Sequence, residues 1–167
     1  MQFENVCIEG LEYHLPENRI TSSELETRLA PLYERLKLPL GRLQLMSGIE
    51  ERRFWDEGVF PSEVAAIAGK KAIESSDIEA KDIGCLISAS VCRDFLEPST
   101  ASIVHNRLEL PEESFVFDVS NACLGVLNGM CIVANMIDQG TIKAGLIVSG
   151  ENGGPLVNNT IENLLSR

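Results

Sequence analysis

The stretch "FDVSNACLGVLNGMCIVANMIDQGTIKAGLIVSGE", residues 117–151, decides the fold class because it passes from a strand through a helix to a second strand. The segment "SFVFDVS" around its start predicts a strand, residues 122 to about 138 predict an apolar helix, and "AGLIVSGE" predicts a buried strand. Gly125 and Gly129 allow close packing of that helix, which is apolar nearly all round and is expected to be buried between layers. Continuous apolar strands joined through a helix are typical of a parallel sheet.

The rest of the chain continues this alternation. Strands are predicted in "FENVCIEGLEY" and "DIGCLISASV", and helices in "TSSELETRLAPLYERLKL", "PSEVAAIAGKKAIESS" and "STASIVHNRLEL". Ser22 and Ser23 are the candidate N-caps of the first helix, which Pro31 is expected to interrupt, and Ser99 or Thr100 is expected to cap the last. Residues 40–58 show no regular pattern. We therefore predict an α/β fold with a mainly parallel, mixed sheet and helices on both faces.

Length and charge narrow the classes of function. The 167 residues suffice for one compact domain with a sizeable core. The 14 lysines and arginines against 25 aspartates and glutamates give a formal charge of −11, which disfavours binding to nucleic acids and to anionic membranes. The N-terminus has no basic segment followed by an apolar core, and no run reaches the roughly 18 apolar residues of a membrane span. We expect a protein of the cytoplasm.

The five cysteines are expected to be reduced thiols, because their number is odd and their spacing matches no metal-ligand set. Cys123 differs from the others, since the polar residues Asp118, Ser120 and Asn121 precede it and place it at the start of the apolar helix. Free backbone N–H groups at a helix start stabilise a thiolate, so Cys123 is a candidate nucleophile. The alternative is a small buried hydrophobe like Cys131, and spacing alone leaves both interpretations open.

Residues 117–151 resemble the nucleophile segment of the thiolase superfamily, in particular that of the β-ketoacyl-ACP synthase III type. "SGIEERRFW" resembles the Thr-Gly-Ile-x-x-Arg block of those synthases, and "EPSTASIVHNRLEL" resembles their Pro-Ser-Thr-Ala helix, in the family order. The resemblance implies the thiolase fold, with Cys123 as the acyl-accepting cysteine on a buried helix. It also implies that residues 1–167 are the N-terminal half of a two-half protein. The second half, absent from this chain, supplies a histidine and an asparagine, and neither His14 nor His105 matches that histidine.

"VCRDFLEPSTA", together with the cysteine segment, resembles a narrower branch that starts long-chain olefin biosynthesis by joining two fatty acyl-CoA molecules head to head. In that branch a glutamate crosses the dimer interface into the partner's active site. It lies as far before the cysteine as Glu97 lies before Cys123, which is 26 residues. The resemblance implies that Glu97, partly desolvated in an acyl tunnel, removes the α-proton of the second substrate. The alternative is a solvated loop carboxylate before Pro98.

Three arginines are candidates for binding the phosphates of CoA. Synthases of this type commonly carry a tryptophan and an arginine near the Thr-Gly-Ile block for the CoA adenine and phosphates, and Arg42 and Met46 stand at those places here. Arg42, Arg52 and Arg53 are therefore candidate substrate-binding residues, with a solvated surface as the alternative. Trp55 beside them could equally belong to the core.

Three functions remain open. The first is an acyltransferase that forms an acyl-cysteine and performs a non-decarboxylative Claisen condensation of two fatty acyl-CoAs to a β-keto product. The second is a malonyl-dependent synthase III of fatty-acid or polyketide synthesis, although a charge of −11 gives a poor average field for an acidic acyl carrier protein. The third is a structural half domain without turnover.

The two enzymatic functions share several expectations. CoA thioesters are substrates, and neither a cofactor nor a metal is expected. The resemblance implies a homodimer paired through "SFVFDVS", whose alternating Phe115, Phe117 and Val119 offer an apolar row. Because half of the catalytic groups would be missing, we expect the fragment itself to be inactive.

Overall fold

The computed structural model describes residues 2–166, which form two compact units. The sheet unit contains Met1–His14 and Phe60–Glu151, and the hairpin unit contains Leu15–Val59 and Asn152–Arg167. In chain order the elements are β1 (Asn18–Thr21), α1 (Ser22–Arg28), α2 (Ala30–Leu36), α3 (Arg42–Ser47), β2 (Glu51–Phe54), α4 (Pro61–Glu74), β3 (Ile83–Ser88), α5 (Thr100–Arg107), β4 (Phe115–Asp118), α6 (Gly125–Asp138), β5 (Ala144–Val148) and α7 (Gly154–Leu165). No helix in residues 2–166 is both long and apolar enough to cross a membrane.

The sheet unit is built on a parallel sheet in which β3 lies between β4 and β5. The central strand is almost entirely buried and presents alternate side chains to the two faces of the sheet. Leu86 packs with Ala65 of α4 and Val104 of α5 on one face. Ile87 packs with Val133 of α6 on the other. Helices therefore cover both faces, which confirms the predicted α/β fold class.

Helix α6 is buried on the face that contacts the sheet. A Cβ atom at Gly125 would lie 3.1 Å from the carbonyl oxygen of Ala89, and one at Gly129 would lie 3.0 Å from Cγ2 of Ile147. Both distances are shorter than ordinary van der Waals contact, so the two glycines allow the close packing that the sequence predicts. The opposite face of α6 is open in this chain, where Leu127 is 54% exposed. Burial of this apolar helix is thus confined to one side within residues 2–166.

The hairpin unit begins with β1 and β2, which form an antiparallel pair. The N-cap of α1 is Thr21, not the predicted Ser22 or Ser23. Thr21 Oγ1 accepts a hydrogen bond from Glu24 N (3.1 Å), and Thr21 N donates to the Glu24 carboxylate (2.7 Å). This reciprocal capping box satisfies two backbone N–H groups, whereas a lone serine cap would satisfy one. Pro31 is the second residue of α2, so the predicted interruption of the helix is confirmed.

The predicted first strand, residues 3–13, is wrong, since these residues form no strand. Leu11 is 90% exposed, so the segment lacks the buried face that stabilises a strand in a sheet. The first strand is β1. Residues 40–58, which show no regular pattern in the sequence, contain α3 and β2. Pairing with β1 stabilises β2, and such a partner is not visible in the pattern of β2 alone.

The buried centre of β3 should dominate the stability of the sheet unit. We expect Leu86→Ala to lower the free energy of unfolding by about 2–5 kcal/mol, because it removes apolar contacts and leaves a cavity. Guanidinium unfolding followed by circular dichroism measures this change. The matched control is Leu11→Ala, which alters an exposed leucine of the same unit and should change the midpoint little. Equal effects of the two substitutions would contradict the central role of β3.

Candidate active site

Cys123 lies in the short 3-10 turn Ala122–Leu124 between β4 and α6, at the helix start that the sequence predicts. Leu124 N donates to the carbonyl of Asn121 (2.9 Å), and the Asn121 amide donates to Oδ1 of Asn128 (2.6 Å). Ala122 has a φ of 42°, a left-handed conformation that costs roughly 1–2 kcal/mol in a non-glycine residue. The Cys123 side chain is exposed within the described residues, so the thiol is accessible in this chain.

The polar residue Asp118, at the end of β4, links this turn to helix α5. Its Oδ2 accepts a hydrogen bond from Thr100 N (3.0 Å), and its Oδ1 accepts one from Ala101 N (2.8 Å). Ser99 is the N-cap of α5, as predicted, and its Oγ accepts from Ser102 N (3.2 Å). The first three N–H groups of α5 therefore all have acceptors. Two of these three hydrogen bonds come from the strand that leads to Cys123.

Glu97 lies on the loop of residues 89–99 between β3 and α5, hereafter the Glu97 loop. The beginning of this loop is held by the carboxylate of Glu151, which accepts hydrogen bonds from Val91 N (2.7 Å) and Cys92 N (3.1 Å). The loop leaves the carboxyl end of β3, and the Cys123 turn leaves the carboxyl end of the neighbouring parallel strand β4. Both candidate catalytic segments therefore lie at the same edge of the sheet.

The middle of the Glu97 loop is held by Asp94, whose carboxylate accepts hydrogen bonds from the backbone N–H (2.9 Å) and the hydroxyl of Ser62. Phe95 and Leu96, which directly precede Glu97, are exposed. Glu97 is exposed as well, so the residues described here do not supply the partial desolvation predicted for it. The reason is that no element within residues 2–166 covers the outer side of the loop.

The three candidate arginines differ in how their guanidinium groups are used. Arg52 Nη1 donates to Ser22 Oγ (2.8 Å), and Arg53 Nη1 donates to the carbonyl of Pro16 (2.9 Å). Both side chains therefore stabilise the hairpin unit through these hydrogen bonds. Arg42 is the first residue of α3. Of the three, Arg42 is exposed, whereas Arg52 and Arg53 are partly buried.

Glu26 holds the backbone on both sides of Arg42, a role that the sequence pattern did not predict. The Glu26 carboxylate is 2% exposed and accepts hydrogen bonds from Gly41 N (2.6 Å), Leu43 N (2.6 Å) and the hydroxyl of Tyr33 (3.1 Å). It thus binds the residues on both sides of Arg42. The hydrogen bond from Leu43 is the main cause that lowers the pKa of Glu26, against the opposing effect of burial. One feature of the sequence indicates the burial of Glu26, namely its position beside Leu25 on the apolar face of α1.

Comparison with known proteins identifies similar sequences for the segments that carry these residues. The family model for 3-oxoacyl-[acyl-carrier-protein (ACP)] synthase III matches residues 117–165. The acyl-CoA:acyl-CoA alkyltransferases of Shewanella oneidensis and of Xanthomonas campestris pv. campestris are each 42% identical over 166 residues, which is 99% of this chain and 48% and 49% of theirs. The chain is thus similar to the synthase III family in residues 117–165 and to the acyl-CoA:acyl-CoA alkyltransferases along almost its whole length. The crystal structure of cerulenin-bound Xanthomonas campestris OleA matches with a TM-score of 0.93 at 42% identity, over 97% of this chain and 47% of that chain.

The chain spans about half the length of the curated relatives that it matches. The matched part is the N-terminal half of the thiolase fold. The family model begins in β4 and includes Cys123 and α6, whereas Glu97 lies in the part that the longer alkyltransferase match adds. The two candidate catalytic residues are therefore both in regions with a known relative.

The Glu26 carboxylate should make the stability of the hairpin unit depend on pH. Its pKa is lower in the folded protein than the ordinary value of 4.5, so its contribution is present above that pH and is lost as the pH falls below it. We expect Glu26→Gln to lower the unfolding midpoint at pH 7 and to differ progressively less from the unmodified protein below pH 4.5. Thermal unfolding from pH 7 to pH 3 tests this. Glu34→Gln, on the exposed side of α2, is the control and should show no such convergence.

Thiol accessibility should separate the cysteines. Burial raises the pKa of Cys85 to about 11, and a hydrogen bond from Cys7 to Glu9 raises the pKa of exposed Cys7. At pH 8 we expect iodoacetamide to modify Cys123 first, Cys7 more slowly and Cys85 only after unfolding, because the thiolate is the reactive species. Peptide mass spectrometry over a time course measures the rates. Glu9→Gln should accelerate Cys7 alone, and modification of folded Cys85 at the rate of Cys123 would contradict the assigned burial.

Proposed function

We propose that this chain is the N-terminal half of an enzyme that joins two fatty acyl-CoA molecules by a non-decarboxylative Claisen condensation through an acyl-cysteine at Cys123. One observation carries the proposal. Among the solved structures of Xanthomonas OleA, one variant replaces a glutamate by glutamine and another a cysteine by alanine, and these two positions lie 26 residues apart. Glu97 and Cys123 have the same separation in a chain that is 41% identical to that protein.

Acyl transfer to Cys123 is the first step. The thiolate attacks the carbonyl carbon of the first acyl-CoA, the bond from that carbon to the CoA sulfur breaks, and CoA leaves as a thiol after taking up a proton. This divides a difficult condensation into two easier reactions. The exposure of the thiol at the start of α6 supports this role, because the substrate carbonyl must reach the sulfur.

The second step needs a base. A synthase that uses malonyl groups obtains its carbanion by decarboxylation, whereas an ordinary acyl-CoA must lose a proton from its α-carbon. Glu97 takes that proton, the α-carbon attacks the acyl-cysteine, and the Cys123 thiolate leaves. The product is a 2-alkyl-3-ketoacyl thioester, which is hydrolysed to the β-keto acid. The exposed, well-anchored Glu97 loop supports a base that acts outside its own chain.

A homodimer would bring the Glu97 base of one subunit into the active site of the other. In the described sheet, β4 is an edge strand that pairs with β3 on one side, and Phe115 is 52% exposed. Phe117 and Val119 pack instead against the core beside α6, so Phe115 and the strand edge are what a partner would contact. An open edge invites pairing with another chain. In such a dimer each Glu97 loop enters the site that contains the partner's cysteine.

The complete enzyme also needs a second half. Its histidine and asparagine would polarise the thioester carbonyl. His105 does not serve this role, because Nε2 shares a hydrogen bond with the carbonyl of Pro111 (2.9 Å). The open face of α6, with exposed Leu127, and the exposed Leu124 just before the helix form the surface that the second half would cover. The 167-residue chain alone is therefore expected to be inactive. The complete enzyme is expected in the cytoplasm. In that enzyme we expect Arg42 to bind a phosphate of CoA.

The malonyl-dependent synthase is the second candidate, because the family model that matches residues 117–165 is that of the carrier-protein synthases. The two candidates differ in their second substrate. Incubation of the complete enzyme with acyl-CoA alone, and then with malonyl-acyl carrier protein added, distinguishes them. Formation of the β-keto product from acyl-CoA alone supports the first candidate. Formation only with the malonyl substrate supports the second, and no acylation in either case supports a structural half domain.

Replacing the base should separate acylation from condensation. In the complete enzyme we expect Glu97→Gln to leave acylation of Cys123 intact, because glutamine keeps the shape of the side chain. Condensation should fall by about 10²- to 10⁴-fold, because the amide cannot take the proton. Intact-mass analysis measures the acyl-enzyme, and product analysis measures condensation. Glu113→Gln, an exposed glutamate of the same unit, is the control, and Cys123→Ala should abolish the acyl mass shift while Cys131→Ala retains it.

Mixed dimers test whether Glu97 acts across the subunit interface. A dimer of one Cys123→Ala subunit and one Glu97→Gln subunit has one site with both defects and one site with neither. Activity should therefore return when the two inactive variants exchange subunits. Unchanged condensation by Glu97→Gln, or no recovered activity after proven exchange, would contradict the cross-subunit base and move the malonyl-dependent candidate to first place.

A further inference from the structure

Asp118 has no part in the chemistry proposed above, yet its carboxylate joins the segments that carry both reacting groups. Its two oxygens accept hydrogen bonds from two different backbone N–H groups, those of Thr100 (3.0 Å) and Ala101 (2.8 Å). Thr100 follows Glu97 by three positions along the chain, and Asp118 precedes Cys123 by five. A single side chain therefore connects the helix start that follows the Glu97 loop to the strand that leads to the nucleophile.

The other anchors of the Glu97 loop act earlier in the loop. Glu151 binds the backbone at Val91 and Cys92, and Asp94 is bound by Ser62. The ring of Phe95 lies beside that of Phe60, with the two centroids 5.7 Å apart. Among the described hydrogen bonds, the next ones after Asp94 are those at the start of α5. Glu97 therefore lies between the Phe95 contact and the start of α5, and its position depends on where α5 begins. That point is set by Asp118 and by the N-cap Ser99.

We propose that Asp118 is a positioning residue, which holds the first turn of α5 and thereby directs the Glu97 of its own chain toward the site that Glu97 serves. This inference rests on the proposed function of Glu97. Asp118 touches neither substrate nor Cys123 in this role, and acts through backbone N–H groups. A displacement of about 1 Å at a catalytic group can lower a rate by about 10²-fold, so a loosened α5 would reduce condensation.

The substitution Asp118→Asn is suited to the test, because an amide has nearly the same shape as a carboxylate. Its oxygen can accept one of the two hydrogen bonds, whereas its NH₂ group faces the second N–H donor and cannot accept. In the complete enzyme we expect condensation to fall by about 10- to 100-fold, with acylation of Cys123 changed by no more than about threefold. Intact-mass analysis in a single turnover and product formation over many turnovers measure the two quantities.

Asp138→Asn is the matched control. Asp138 lies in the same unit, and its Oδ1 also accepts hydrogen bonds from two backbone N–H groups, those of Glu4 (3.2 Å) and Asn5 (3.1 Å). It tethers the N-terminal segment, which has no role in the proposed reaction. Asp138→Asn should therefore leave both acylation and condensation unchanged. Equal loss of condensation in the two variants would overturn the proposal, because it would indicate a general effect on folding.

Subunit mixing identifies the group on which Asp118 acts. If Asp118 positions Glu97, a mixed dimer of Asp118→Asn and Cys123→Ala has one site with an intact cysteine and a correctly placed base, and activity returns. A mixed dimer of Asp118→Asn and Glu97→Gln has no such site, so its activity stays low. The opposite pattern would mean that Asp118 acts on the cysteine of its own chain, and would overturn the proposal.

Two further measurements keep the result decisive. The pair Cys123→Ala with Glu97→Gln must recover activity in the same experiment, and its failure would overturn the cross-subunit base itself and this inference with it. If Asp118→Asn does not fold, Ser99→Ala removes the neighbouring hydrogen bond at the start of α5 and should show the same mixing pattern with a smaller loss. No loss of condensation in a folded Asp118→Asn enzyme, or none in Ser99→Ala when it replaces that variant, would also overturn the proposal.

Discussion

Close contact between α6 and the sheet is the constraint on which the placement of Cys123 depends. At Gly125, two residues after the cysteine, a Cβ atom would lie 3.1 Å from the carbonyl oxygen of Ala89. At Gly145 of β5, the same atom would lie 2.7 Å from a methyl group of Val133. Contacts this short leave little room for the helix to shift on the sheet. The packing of α6 on the sheet therefore holds the turn before the helix in position, and the Cys123 thiol lies on that turn.

Much of the sheet unit could be predicted from the sequence, because its strands and helices are defined by their own residues. The buried strand β3 is a continuous apolar run, α4 has apolar residues at helical spacing, and the glycines of α6 mark its contact face. The hairpin unit was less predictable. Its strand β2 exists because β1 pairs with it, and the cap of α1 depends on two side chains three positions apart. The local propensity of a segment does not indicate which other segment or side chain it will pair with.

The candidate site shows the same division. The position of Cys123 at a helix start follows from the polar residues before it and the apolar residues after it. The hydrogen bonds of Asp118 and Glu26 to backbone N–H groups do not, because each of these joins residues 15 or more positions apart through a side chain that also looks like an ordinary surface carboxylate. The exposure of Glu97 was also not predicted, since the expected tunnel would require atoms beyond those of a single described chain.

The ribosome synthesises the hairpin unit in two parts that are separated along the chain. Its α7 helix belongs with residues 15–59, and Arg28 Nη2 donates to Oδ1 of Asn158 (2.7 Å). The whole span from Phe60 to Glu151, with all three strands of the parallel sheet, is synthesised between these parts. At about 5–20 residues per second, the first part waits about 5–20 s for the second. During nascent chain growth the sheet unit can thus complete its core while the hairpin unit still lacks its last helix.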